Sequence, residues 1–146
     1  MNSSDKLDLS SLEKAIAQLE QSLFYYHTDV VQRDPNFVLQ LRAAAIQAFE
    51  FTYEISIKMI KRYLDKAGLS PVEVRDASFP HVIRTACEHG LLLNDLSVWK
   101  IYRQERGTTS HTYTEEKAIE IFENIPGFLK EVTYLLARLK AYEQAL

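Results

Sequence analysis

The sequence predicts an all-α fold: an up-and-down four-helix bundle with one additional short helix, in a single domain over residues 1–146. Three observations lead there. Apolar residues recur in steps of three and four over long stretches, which puts them on one face of a 3.6-residue turn. Only four Gly and four Pro occur, so the chain has few places to reverse and its elements must be long. A hydrophobic fraction of 47% is enough for one core in a chain of 146 residues.

The first helix carries the stripe Leu9, Leu12, Ile16, Leu19, Leu23, Tyr26 and Val30. Ser10 with Glu13 three residues later has the pattern of a capping box at its start. Asp34-Pro35 ends it and opens the second helix, since proline suits the first helical turn. That helix is expected over 35–67, with Gly68 as its stop. It is apolar on several sides, so it is central or faces both a core and a partner. Its run Arg42-Ala43-Ala44-Ala45 allows close backbone approach. A short third helix is expected over 79–89, stopped by Gly90. Asn94-Asp95 is a good N-cap pair for the fourth, which runs through Trp99 and Tyr102 to Arg106. Gly107 then stands where a helix end favours a left-handed residue. The last helix starts at Thr114, with Glu115 and Glu116 complementing its dipole. Pro126-Gly127 should kink or split it.

Charge and composition narrow the function. The net charge of −3 argues against a broad nucleic-acid-coating surface, so any such contact needs a local basic patch. The single cysteine, Cys87, cannot form an internal disulfide and suits a reducing compartment. Residues 1–7 are expected to be flexible, and no apolar secretory core follows Met1. No stretch approaches the roughly 20 apolar residues of a membrane span. The expectation is a cytoplasmic protein.

The segment Arg106-Gly107-Thr108-Thr109-Ser110-His111-Thr112-Tyr113 gathers chemistry in eight residues. Arg106 is a permanent cation that can hold a phosphate oxygen. His111 can give or take a proton near pH 7. Tyr113 offers a hydroxyl open to modification. In a continuous helix, Arg106 and His111 would lie about 140° apart. A bend at Gly-Thr-Thr-Ser could bring both towards one cleft.

This R-x4-H-x-Y pattern resembles the motif of the HEPN superfamily, and more closely that of HepT-type toxins and nucleotidyltransferase substrate-binding proteins. Phe49-Glu50-Phe51-Thr52-Tyr53-Glu54-Ile55-Ser56 is similar to that group's second-helix signature, and the likeness spans roughly residues 8 to 142. One departure is Gly107, where many relatives carry Asn or another polar residue. The resemblance implies a dimeric, metal-independent endoribonuclease with no cofactor. Arg106 and His111 would be catalytic, and RNA, with tRNA a candidate, would be the substrate. It also implies a partner, a minimal nucleotidyltransferase antitoxin that transfers AMP to Tyr113.

Arg103, Lys100 and Ser110 are the further candidates for phosphate or RNA contact. Lys58, Lys61, Arg62 and Lys66 read as a solvated basic end, with Glu54 and Lys58 a weak i,i+4 pair. Glu50 and Glu54 lie one turn apart but have no second acidic pair, so no metal site is expected. His27, His81, His89 and Cys87 have no ligand spacing and are assigned to structure or surface. The aromatics Phe49, Phe51, Tyr53, Trp99 and Tyr102 are expected in the core or a dimer interface. The alternative reading, which Gly107 favours, is a non-catalytic substrate-binding subunit of a two-component nucleotidyltransferase.

Overall fold

The computed structural model describes residues 7–68, 78–109 and 112–145. Among them are six helices: α1 (Ser10–Tyr26), α2 (Asp29–Gln32), α3 (Pro35–Lys66), α4 (Phe79–Glu88), α5 (Leu96–Thr109) and α6 (Glu115–Ala145). The four long ones form the bundle. α3 touches each of the other five. At 32 residues it is about 48 Å long.

Local chemistry sets most boundaries. Asp34 caps α3, its carboxylate accepting from the backbone N–H of Asn36 at 2.9 Å. Gly68 ends that helix at φ +117° and Gly90 follows α4 at φ +73°, conformations that cost a side-chain-bearing residue about 1 kcal/mol or more. Ser78 caps α4 through His81 N–H, and Asp95 caps α5 through Ser97 N–H at 3.0 Å. Thr114 Oγ accepts from Lys117 N–H and caps α6.

Three expectations need correcting. The capping box at Ser10 does not form: Leu9 holds the cap position without a side-chain bond. Instead Asp8 accepts from Ser10 N–H at 3.0 Å and from Ser10 Oγ at 2.6 Å. The first stripe does not reach Val30. α1 stops at Tyr26 and the chain restarts at Asp29, which shifts the helical phase, so Val31 is buried and Val30 is 69% exposed. α6 is not split at Pro126-Gly127 but runs unbroken. Proline removes a single donor there, while Ile125 and Phe128 on either side are fully buried and hold the segment in place.

The core is a cluster of aliphatic side chains around an aromatic centre. Phe128 meets Phe49 edge-on at 4.8 Å and Tyr102 at 5.1 Å, and Trp99 meets Tyr102 at 5.5 Å. Each fully buried side chain of this size contributes about 1.5–3 kcal/mol. Of the five aromatics singled out above, four are buried here, and Phe51 faces outward at 57% exposure. None of the helices described is long and apolar enough to cross a membrane.

Candidate functional site

The motif arginine sits near the end of α5, so the site begins with what fixes that helix. Glu131 on α6 is fully buried. Its carboxylate accepts from Leu93 N–H at 2.7 Å, Asn94 N–H at 3.0 Å and Trp99 Nε1–H at 2.7 Å. A buried carboxylate with three N–H donors is a strong, directional anchor. It holds both the turn before α5 and the indole at its first turn.

At the other end of α5, Arg106 lies between two carboxylates of α3. Its Nε is 2.9 Å from Glu54 Oε1, and its Nη1 is 3.8 Å from Glu50 Oε2. The Nε contact is an ion pair by distance, without hydrogen-bond alignment. Arg106 keeps 26% of its side chain exposed. The two glutamates one turn apart therefore hold a guanidinium, and Glu54 pairs across the bundle rather than with Lys58. Sequence spacing revealed the glutamate pair; their cation comes from another helix more than a third of the chain away.

Gly107 is not a left-handed cap. Among the described residues positive φ occurs at Gly68 and Gly90 alone, and α5 continues to Thr109. Two hydroxyls close the last turn. Thr108 Oγ donates to Gln104 C=O at 3.1 Å, and Thr109 Oγ donates to Arg106 C=O at 2.8 Å. The Thr109 bond satisfies a carbonyl that the helix end leaves open, while Thr108 shares a carbonyl already inside the helical ladder, so the end closes without a glycine. Of the bend expected over 107–110, residues 107–109 are helical instead. Ser110 and His111 lie outside the described residues.

Tyr113 is half-buried and packs against the core. Burial, with Glu50 adding to it, raises its phenol above the ordinary value, so it is neutral at pH 7. It stands between two surface grooves floored by α3. One, of about 440 Å³, is lined by Gln40, Ala43, Ala44, Gln47 and Glu50. The other, of about 310 Å³, includes Leu39, Arg42, Ile46 and Glu115. The alanine run thus forms groove floor as well as packing. Arg42 faces Glu115 at a loose 3.7 Å, and its Nε and Nη1 have no hydrogen-bond partner. The sequence offered no signal for Arg42 beyond its place beside the alanines.

Arg103 lies one turn before Arg106, its guanidinium 4.6 Å from the centre of the Phe79 ring. Lys100 is exposed a further turn back. Among the described residues no group of three or more His, Cys, Asp and Glu could hold a metal ion. The site is thus an arginine between carboxylates, a neutral phenol beside a groove, and a second arginine along the same helix. That set can grip an anion and present a hydroxyl.

The all-helical bundle has known counterparts. The chain belongs to the family described as nucleotidyltransferase substrate binding protein like, which matches residues 7–141. A relative from Haemophilus influenzae named probable ribonuclease HepT is 38% identical over 142 residues, covering 96% of this chain and 97% of that one. A solved structure from the same organism, described as the fold of a substrate binding domain of a nucleotidyltransferase, superposes with a TM-score of 0.84 at 36% identity. It covers 91% of this chain and 99% of its own. A crystal structure from Thermus thermophilus gives a TM-score of 0.68 at 35% identity, covering 88% and 98%.

Proposed function

We propose that this chain is a metal-independent endoribonuclease toxin whose partner is a minimal nucleotidyltransferase antitoxin. The observation that carries this reading is Arg106, presented at the end of an anchored helix beside the Tyr113 groove. In the reaction a ribose 2′-oxygen attacks the adjacent phosphorus and the bond to the 5′-oxygen breaks. The products are a cyclic phosphate and a 5′-hydroxyl. His111 serves as general base or acid, a role worth on the order of 10²–10⁴ in rate. Arg106 holds the phosphate and the charge that develops on it. The nucleophile requires RNA. Arg103, Lys100 and Ser110 contact the strand. A second copy of the chain covers outward apolar residues of α3 such as Phe37 and Phe51.

The antitoxin acts on Tyr113. The phenol oxygen attacks the α-phosphorus of ATP, pyrophosphate leaves, and the proton passes to solvent. The adenylyl group then sets a negative charge close to Glu50 and the arginine it holds, and excludes RNA.

The test is cleavage of total RNA in EDTA by the purified protein, beside an Arg106→Ala, His111→Ala double variant. Cleavage by the parent should be at least a hundredfold faster. Equal rates would end the proposal. A second reading draws support from the pairing of Arg106 with Glu50 and Glu54, which neutralises the cation: a non-catalytic subunit that presents substrate to a separate nucleotidyltransferase. Growth arrest on expression alone favours the toxin. Harmless expression with tight complex formation favours the subunit.

A further inference from the structure

A third cavity, of about 270 Å³, lies beyond the Arg106 ion pairs, where α3, α4 and α5 meet. Its walls are Tyr53, Glu54, Ile57 and Lys61 from α3, Phe79 and Val82 from α4, and Arg103 from α5. Two cations therefore face one hollow from different helices. Among the described residues neither Lys61 nor Arg103 has a carboxylate within ion-pair distance. Glu54, the acidic member of the lining, is 2.9 Å from Arg106. Among the described residues its lining is thus net positive on a chain whose net charge is −3. The Arg103 guanidinium carbon lies over the Phe79 ring at 4.6 Å, and with no carboxylate paired to it among the described residues its N–H groups can take a ligand. Tyr53, almost fully buried, forms part of the wall, and its hydroxyl feels both Arg103 and Arg106. The volume is close to the small end of ligand pockets, about 300 Å³, which suits one nucleotide and not a folded partner.

Position gives the hollow its meaning. Arg103 and Arg106 are three residues apart on α5, so their side chains rise from one face within about 6 Å at the Cβ atoms. Along α3, Glu50, Glu54 and Lys61 follow in order, so the Tyr113 groove, Arg106 and this hollow lie along one side of the same helix over about 16 Å. Resting on the ribonuclease reading above, we propose that this hollow is a nucleotide subsite for the RNA strand. Lys61 and Arg103 hold the phosphate next to the one at Arg106, and the neighbouring base stacks on the Arg103–Phe79 pair. A planar cation on an aromatic ring is a sequence-tolerant stacking platform. The site therefore binds the strand without choosing its sequence.

The experiment uses 2′-O-methyl oligonucleotides of one to six residues, which cannot be cut, with affinity read by fluorescence anisotropy at several salt concentrations. The parent should gain affinity in a step as the oligonucleotide lengthens. Lys61→Ala and Arg103→Ala should each lose about tenfold of that gain and lower the salt slope by about 1. Phe79→Leu should lose the gain with the slope unchanged. Lys130→Ala, at an exposed position of α6, should match the parent, and thermal melts check that every variant folds. If Arg106→Ala weakens binding while Lys61→Ala, Arg103→Ala and Phe79→Leu do not, the subsite is refuted and the ribonuclease reading stands. If no oligonucleotide binds, both fall. If a poly-glutamate peptide competes as well as the oligonucleotide, the assignment to a nucleotide is wrong.

Discussion

The two ends of α5 are held by carboxylates in opposite ways. At its start, Glu131 is fully buried and accepts three N–H bonds between 2.7 and 3.0 Å. Near its end, Glu50 and Glu54 hold Arg106 across 3.8 and 2.9 Å at a partly open surface. The first arrangement costs a great deal to break, because each donor left dry loses about 1–3 kcal/mol. The second is a surface ion pair, worth about 0–1 kcal/mol. A helix built this way is firmly fixed at its start and held by exchangeable contacts near its end.

The sharpest way to break that contrast is a pair of melts. Glu131→Ala should lose about 3–5 kcal/mol of stability, since three N–H groups lose their acceptor together. Glu54→Ala should lose less than about 1 kcal/mol. Similar losses in urea unfolding would mean that the two anchors are the same kind of contact.

Glu105 sits beside Arg106 and tests how dry this end is. Burial raises its carboxyl above the ordinary value, against the bond from Asn124 that lowers it. Its Oε2 has no hydrogen-bond partner. A raised folded value means the native state holds this proton more tightly than the unfolded chain. Its contribution is full below about pH 4.3 and is lost as pH rises through the raised value. Glu105→Gln should flatten that part of the stability–pH curve and gain on the order of 1 kcal/mol at pH 7. An unchanged curve would place this carboxyl in water.

The smallest effect concerns Gly107. It lies within α5 with φ outside the left-handed region, and a Cβ there would meet nothing within 4 Å. Gly107→Ala should therefore stabilise the fold by about 0.5–1 kcal/mol. A loss of that size would restore the left-handed cap.

The bundle was legible because local signals agree with its long-range packing. Asp34-Pro35, Gly68 and Gly90 mark breaks that the structure keeps, and apolar residues of α3 and α6 such as Phe49, Ile60, Phe128 and Val132 lie in the core. The misreadings have local causes. Thr109 closes a helix end two residues past the one that Gly107 seemed to mark, and a break at Tyr26 moves burial from Val30 to Val31. At the site, the motif exposes Arg106 and Tyr113 directly. Glu50, Glu54 and Lys61 gain meaning only through side chains from other helices, and Glu131 through a turn 37 and 38 residues away. Spacing along one helix cannot carry that information.

The separation between Glu131 and the turn it fastens also sets an order of events during translation. The helix bearing Arg106 leaves the ribosome before the carboxylate that docks its beginning exists. A nascent polypeptide therefore holds its arginine on an unseated helix until α6 has been made. Whatever this surface grips, it can grip in register only after synthesis has passed that late glutamate.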